Sequence, residues 1–152
     1  MTPTDAAGWM ELALDEAADA LEHGDVPIGA VVVDADGDVV ARRHNERELT
    51  GDPIAHAEVL ALRDAAAHVG RWRLDGCTLV STLEPCAMCA GAMVNARLER
   101  LVFGATDPKA GAVVSHFHLL EGAPLNHRVE VSGGVEADRC GELLRAFFRS
   151  RR

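Results

Sequence analysis

The sequence lacks any apolar run that approaches the roughly 20 residues a membrane-spanning helix needs. Its N-terminus also lacks the basic and apolar regions of a signal peptide. Both absences favour a cytoplasmic protein with no membrane partner. The chain has 152 residues, 48% of them hydrophobic, which is enough for a full-sized core. We therefore expect a single domain that spans residues 1–152.

Cysteine is scarce as well, with only four residues in the chain. So few cysteines do not build a disulfide scaffold in a domain of this size, and the thiols are expected to stay reduced. Cys86 and Cys89 stand three positions apart, and such a close pair favours metal binding or catalysis. A thioredoxin-like redox pair and half of a structural metal site remain alternatives.

Lysine is almost absent: Lys109 stands alone beside fourteen arginines, and the net charge is −9. This charge argues at first sight against a nucleic-acid partner. Much of the acidity, however, belongs to residues 1–25, which hold seven Asp and Glu residues and no Lys or Arg. Near the other end, four arginines within eight residues can either follow a phosphate backbone or line a solvated helix: Arg145, Arg149, Arg151 and Arg152.

The first part of the chain predicts a helix and then a β-hairpin. Thr4 is expected to cap the helix and Gly24 to end it. One apolar face recurs at helical spacing, formed by Met10, Leu14, Ala17 and Leu21. The segments IGAVVV and VVARRH flank the turn sequence DADGD, which is typical of two paired strands.

The rest of the chain alternates between helical and strand patterns. Residues 104–124 are rich in Pro and Gly and are expected to form loops, and a last helix is expected from about Asp138. The segments between the hairpin and these loops predict, in turn, helix, strand, helix and strand: AHAEVLALRDAAAH, CTLVSTL, PCAMCAGAMVNAR and RLVFG. With RVEV as a further strand, this rhythm predicts an α/β fold, a three-layer α/β/α sandwich around a mixed sheet of about five strands.

The close cysteine pair is expected at the start of a helix. Pro85 suits a first helical turn, so Cys86 and Cys89 face the same side, where the positive helix end favours thiolates. A structural zinc site needs four protein ligands, whereas a catalytic one has three and an open position. Cys77 lies at the far end of its strand, roughly 20 Å away at about 3.3 Å per residue. Cys140 has no Cys or His at ligand spacing, so both are expected in the core.

His56 is the best candidate for a third ligand, because Pro53 marks a turn and a helical pattern begins just after it. Glu58 follows two positions later, outside any capping pattern. At a first helical turn both side chains can reach a pocket beyond the helix end. The alternative for Glu58 is an acidic residue that only interacts favourably with the helix dipole.

The pair of motifs HAE and PCAMC matches the HxE and PCxxC signature of zinc-dependent nucleobase deaminases. From about Trp9 to Arg151, the chain also resembles the bacterial tRNA adenosine deaminases, which form inosine at the wobble position. This resemblance is carried by VPIGAVVV, HNE, DPIAHAE, TLEPCAMCAGAM, LVFGATDPKAG, LNHRVEV and LLRAFFRSRR. It implies a cytidine-deaminase-like fold.

The resemblance further implies one zinc ion per chain, held by His56, Cys86 and Cys89 with water in the open position. Glu58 would take a proton from the water that attacks C6 of adenine, and would pass protons to N1 and to the leaving amine. A homodimer is also implied.

The implied partner is a tRNA anticodon stem-loop. Asn45 would hydrogen-bond the flipped base, and the backbone amide of Ala57 would help to orient it. Further RNA contacts are implied on two loops and the last helix, at Asp107, Lys109, Asn126, His127, Arg128, Phe148 and Arg149. At least one of the adjacent Phe147 and Phe148 is expected in the core.

Two other functions remain open. A deaminase of free guanine, cytosine or a nucleoside would use the same zinc chemistry, although it should lack the NHRV and FFR segments found here. A zinc-stabilised binding module without turnover would need a fourth protein ligand. The chain also departs from the family pattern in the run Ser115, His116, Phe117 and His118. Its two histidines could be solvated loop residues, RNA contacts or dimer contacts, and we expect the first.

Overall fold

The structure is a computed structural model that describes residues 5–151, in which five α-helices surround one five-stranded sheet. No helix in this range combines the length and the apolar character required to cross a membrane. In chain order the elements are α1 Ala6–Ala20, β1 Gly29–Val33, β2 Val39–His44, α2 Arg47–Thr50, α3 Ala57–Val69, β3 Thr78–Leu83, α4 Ala87–Asn95, β4 Arg100–Ala105, β5 Glu130–Ser132 and α5 Ala137–Arg149.

The sheet is mixed, with the strand order β2-β1-β3-β4-β5. Strand β1 runs antiparallel to β2 and to β3, as the predicted hairpin requires for the first pair. Strand β4 runs parallel to both β3 and β5. The α4 helix makes the crossover from β3 to β4, whereas the crossover from β4 to β5 is formed by the long loop 106–129.

Helices cover both faces of the sheet, so the predicted three-layer sandwich is confirmed. Successive residues of a strand point to opposite faces, and each face has its own core. Leu79 and Leu101 pack under α3 and α4. Val80 and Val102 pack under α1 and α5. The layer of α3 and α4 is the one that carries the candidate metal ligands.

Two glycines allow the outer helices to approach the sheet closely. A Cβ atom at Gly29 would lie 1.9 Å from the carbonyl oxygen of Ala13 in α1. One at Gly104 would lie 2.4 Å from the sulfur of Cys140 in α5. Any side chain there would push a helix off the sheet. Cys140 and Cys77 are both buried among core residues, which confirms the prediction for them.

The first helix differs from its prediction at both ends. Asp5 is its N-cap and accepts a hydrogen bond from the Gly8 amide at 2.8 Å, while Thr4 lies outside the described residues. The α-helix ends at Ala20, and a 3₁₀ turn follows. Leu21 lies in this turn and is 42% exposed, so its assignment to the apolar face of the helix is wrong.

Candidate active site

The α3 and α4 helices each begin at a predicted metal ligand. His56 is the N-cap of α3 and Cys86 is the N-cap of α4, both in extended conformation and neither capping its helix with its side chain. Pro85 stands just before the cap rather than in the first turn, which corrects its predicted position. Cys89 is the third residue of α4. The three side chains are thus available for a role beyond the helix ends.

These three side chains meet across the two helices. The Nδ1 atom of His56 lies 3.5 Å from the sulfur of Cys89 and 3.7 Å from that of Cys86. All three donor atoms fall within 4.8 Å of one another. Tetrahedral zinc, with bonds of about 2.0–2.3 Å, separates its nitrogen and sulfur ligands by about 3.5 Å. The donor set and its spacing therefore fit a zinc ion.

Within the cluster, Cys86 is the group whose deprotonated form is stabilised. The hydrogen bond with Cys89 lowers the pKa of Cys86 to about 3, and the contact with His56 acts in the same direction against the effect of burial. The contact with Cys86, and then burial, raises the pKa of Cys89. The contact with Cys86 also raises the pKa of His56. The lowered pKa of Cys86 favours its thiolate, which is the form that binds metal.

Glu58 lies beside the cluster, as the second residue of α3. Its side chain is buried, with 4% exposure, and its Oε1 atom has no hydrogen-bond partner among residues 5–151. Burial raises its pKa to about 7. Since a buried carboxyl oxygen without a hydrogen-bond partner is costly, a purely structural role does not account for Glu58. This position suits a group that exchanges protons with a substrate.

Asn45 joins the end of β2 to the start of α3. Its Oδ1 atom accepts a hydrogen bond from the Ala57 amide at 2.8 Å, and its side chain is buried. The Ala57 amide is thus engaged by Asn45, and the Nδ2 group of Asn45 is the donor left for a ligand. Asn45 and His56 line a cleft of about 630 Å³, which Phe148 and Arg151 border from the C-terminal side.

Comparison with known proteins agrees with this geometry. The MafB19-like deaminase family matches residues 4–152. A tRNA-specific adenosine deaminase of Bacillus subtilis is 50% identical over 144 residues, which make up 95% of this chain and 89% of that protein. The chain belongs to the tRNA-specific adenosine deaminase family.

Solved structures point to the same family. One comes from biochemical and structural studies of A-to-I editing by tRNA:A34 deaminases at the wobble position of transfer RNA. It is 45% identical, covers 90% of this chain and 98% of its own, and has a TM-score of 0.86. A guanine deaminase from Bacillus subtilis is 37% identical over 64% of this chain and 62% of its own, with a TM-score of 0.61. Of these two structures, the tRNA deaminase has the higher sequence identity and covers the larger share of this chain.

Four residues with a predicted RNA contact line a second groove, of about 920 Å³, between the loop after β4 and α5. Asp107 and Lys109 lie on the loop side, and Phe148 and Arg149 lie on the helix side. Phe148 is 51% exposed and also borders the first cleft, whereas Phe147 is buried, as expected for at least one of the two.

Three other residues with a predicted RNA contact lie elsewhere. Asn126, His127 and Arg128 come just before β5, which starts opposite the beginning of β4. This is the opposite end of the sheet from the start of α4. His127 Nε2 lies 2.7 Å from the Leu98 carbonyl oxygen, so it can donate a hydrogen bond to it. Within one chain these residues do not join the cleft, and their contact with RNA stays a prediction.

The two departures from the family pattern lie in the loop after β4. His118 is exposed and lies near Glu121. The ring of His116 contacts the Pro108 carbonyl and is also exposed. Both placements agree with the expectation of solvated loop residues.

Sequence reasoning missed two buried carboxylates near the site. Glu84, which directly follows β3, is 1% exposed and accepts hydrogen bonds from the loop after β4. Burial raises its pKa, but the Ser115 hydroxyl and the loop amides outweigh this effect and hold the pKa at about 2. The only available signal was a charged residue placed directly between a buried strand and Pro85.

The second missed carboxylate, Asp25, holds the short helix α2. It is 2% exposed and accepts hydrogen bonds from the amides of Glu48 at 2.8 Å and Leu49 at 3.1 Å. Its Oδ2 atom also lies 2.6 Å from His23 Nδ1. Burial raises the pKa of Asp25, but these hydrogen bonds lower it below its usual value. Asp25 thereby fixes the segment that follows Asn45.

Proposed function

We propose that the protein is a zinc-dependent hydrolase that converts adenosine to inosine at the wobble position of a tRNA anticodon. The observation that carries this proposal is the meeting of His56, Cys86 and Cys89 at two helix N-termini, with the buried Glu58 beside them. The proposal is supported by the tRNA-specific adenosine deaminases to which most of this chain is similar. We take residues 1–152 as one deaminase domain, located in the cytoplasm where tRNA is found.

His56, Cys86 and Cys89 would hold one zinc ion per chain. When bound, the ion would supply Lewis-acid activation of a water molecule at its open position. The N-termini of α3 and α4 carry partial positive charge, which helps to stabilise the thiolates of Cys86 and Cys89.

Glu58 acts as both base and acid. Its carboxylate takes one proton from the attacking water and delivers it to N1 of adenine. It then takes the proton of the new C6 hydroxyl group and delivers it to the leaving amine, so that the C6–N bond breaks, ammonia departs and the C6 carbonyl of inosine remains. A carboxyl group with a pKa near the working pH performs both transfers efficiently. The burial of Glu58 keeps these protons from exchanging with bulk water.

Asn45 orients the adenine. Because its Oδ1 atom is held by the Ala57 amide, the direction of its Nδ2 group is fixed, and that group donates a hydrogen bond to a ring nitrogen of the flipped base. Ala57 therefore acts through Asn45, a refinement of the direct contact expected for it. The cleft that Asn45 and His56 line has room for a flipped nucleotide.

The anticodon loop occupies the second groove. The exposed ring of Phe148 offers a stacking surface, and Lys109 and Arg149 supply positive charge for phosphates. Asp107 shapes the loop by accepting a hydrogen bond from the Lys109 amide at 3.0 Å. A homodimer would allow the distant Asn126, His127 and Arg128 of one chain to contribute to RNA binding at another.

The test compares substrates on the zinc-loaded protein. An anticodon stem-loop with adenosine at the wobble position should yield inosine and ammonia. A matched stem-loop with the adenosine moved one position, and free adenosine, guanine and cytidine, should yield neither at a comparable rate. Ammonia from guanine or cytidine without inosine from the stem-loop would establish the free-base alternative.

A further inference from the structure

One buried carboxylate organises the loop that follows β4. Glu84 lies two residues before Cys86 and is 1% exposed. Its Oε1 atom accepts hydrogen bonds from the Asp107 amide at 3.0 Å and the Ser115 hydroxyl at 2.6 Å. Its Oε2 atom accepts three more from backbone amides, at 3.1, 2.8 and 2.9 Å, donated by Val113, Val114 and Ser115.

The loop is folded closely around this carboxylate. A Cβ atom at Gly111 would lie 2.3 Å from the carboxyl carbon of Glu84, so only glycine leaves room for it. The Ala112 amide donates a hydrogen bond to the Pro85 carbonyl at 2.9 Å. The loop 107–115 is thus tied to two consecutive residues directly before Cys86.

Filling space does not explain this arrangement. A buried charge is costly unless donors compensate it, and an apolar side chain fills a core at lower cost. Five donors from one loop give Glu84 full compensation, and they exist only when the loop has this conformation. What the carboxylate provides is a defined position of the loop relative to the start of α4.

We infer that Glu84 is a positioning residue for RNA binding, which holds Asp107 and Lys109 at a set position relative to the cluster of His56, Cys86 and Cys89. Glu84 holds the Asp107 amide, and the Asp107 side chain in turn accepts hydrogen bonds from the amides of Lys109 and Ala110. The inference rests on the proposed function, because the RNA contact of this loop is itself part of that proposal.

The first test is Glu84→Gln. It replaces one carboxylate oxygen, which accepts hydrogen bonds from the loop, with a carboxamide NH2 group, which is itself a donor. We expect the KM for the stem-loop to rise about tenfold or more, with a smaller change in kcat and one zinc per chain retained. Ser115→Ala, which removes one of the five hydrogen bonds, should raise KM less. Glu130→Gln is the matched control, since Glu130 is exposed at the far end of the sheet and should leave both constants unchanged.

The second test uses the close contact at Gly111. Gly111→Ala should raise KM in the natural protein, because its methyl group meets the Glu84 carboxylate. In a Glu84→Ala background the same substitution should raise KM little further, since the space that the carboxylate occupied is then open. If Gly111→Ala raised KM by the same factor in both backgrounds, the inference would be overturned.

Hydrogen exchange tests the anchoring without any substrate. In Ser115→Ala and Glu84→Gln, the amides of residues 113–115 should exchange faster, while the amides of α4 stay protected. Unchanged exchange, or a fall in kcat with an unchanged KM, would contradict the positioning role. If the natural protein failed to act on the stem-loop, the proposed function would fail, and the exchange rates would still decide whether Glu84 anchors the loop.

Discussion

The Nδ1 atom of His56 lies 3.5 Å from the sulfur of Cys89, although the two residues are 33 positions apart in the sequence. This contact joins the first turns of α3 and α4 and brings the HAE and PCAMC motifs into one cluster. Two helix N-termini therefore face the same point, where their partial positive charges favour thiolates. The predictions below follow from this arrangement and from the groups around it.

Replacement of Glu58 should separate turnover from metal binding. Glu58→Gln keeps the shape of the side chain but removes the proton acceptor, so turnover of the stem-loop should fall by about 10²–10⁴-fold. Zinc content should stay at one per chain, because Glu58 is not among the three side chains that form the candidate metal site. His56→Ala is the comparison variant and should lose the metal. Metal analysis that finds an empty site in Glu58→Gln would refute this division of roles.

Asn45→Asp should preserve the fold and impair the reaction. An aspartate retains an oxygen for the Ala57 amide, and the N-terminus of α3 tolerates a negative charge. It lacks the Nδ2 donor, so kcat/KM should fall about tenfold to a hundredfold with little change in Tm.

Asn45→Ala serves as the comparison for stability. It leaves the Ala57 amide without its acceptor and should lower the free energy of unfolding by about 1–3 kcal/mol. Full kcat/KM in Asn45→Asp would show that the Nδ2 group does not contact the base.

Glu142 should weaken RNA binding in the natural protein. Its carboxylate lies 2.9 Å from the Arg149 guanidinium and 3.3 Å from that of Arg145, on the exposed side of α5. Glu142→Gln releases both arginines, so stem-loop affinity should rise and log K should fall more steeply with log salt, by about 0.7–0.9 units of slope for each arginine that contacts a phosphate. Fluorescence anisotropy at several salt concentrations measures both quantities. An unchanged slope would place these arginines away from the RNA backbone.

Asp25 should contribute stability that disappears in acid. Its pKa in the folded protein lies below the unfolded value of about 3.9, so the contribution is complete above that value and is lost as pH falls through the folded pKa. Asp25→Asn should therefore lower the free energy of unfolding at pH 7, and the difference from the natural protein should shrink below about pH 4. Urea denaturation across this pH range measures both free energies of unfolding. If the difference between Asp25→Asn and the natural protein did not change with pH, the stabilising role of the ionised Asp25 would be contradicted.

The features that the sequence predicts correctly are determined by residues that lie close together in the chain. The β1–β2 hairpin and the layered order of helices and strands follow from local periodicity. His56 and Cys86 were predicted at helix starts because turn residues precede them. Leu21 was misplaced because continued helical spacing does not reveal that a 3₁₀ turn follows Ala20.

The missed residues depend on partners far along the chain. Glu84 binds amides 23 to 31 positions away, and Asp25 binds amides 23 and 24 positions away. No local pattern indicates such donors, since backbone amides are the same in every sequence. Their role becomes visible only when the loops are folded around them.

X-ray absorption at the zinc edge tests the proposed site most directly. The zinc-loaded protein should show two sulfur neighbours at about 2.3 Å and one nitrogen at about 2.0 Å, with one further light atom from solvent. Cys86→Ala should lose the ion. A coordination shell filled by four protein side chains would contradict the proposal, because no position would remain for the attacking water.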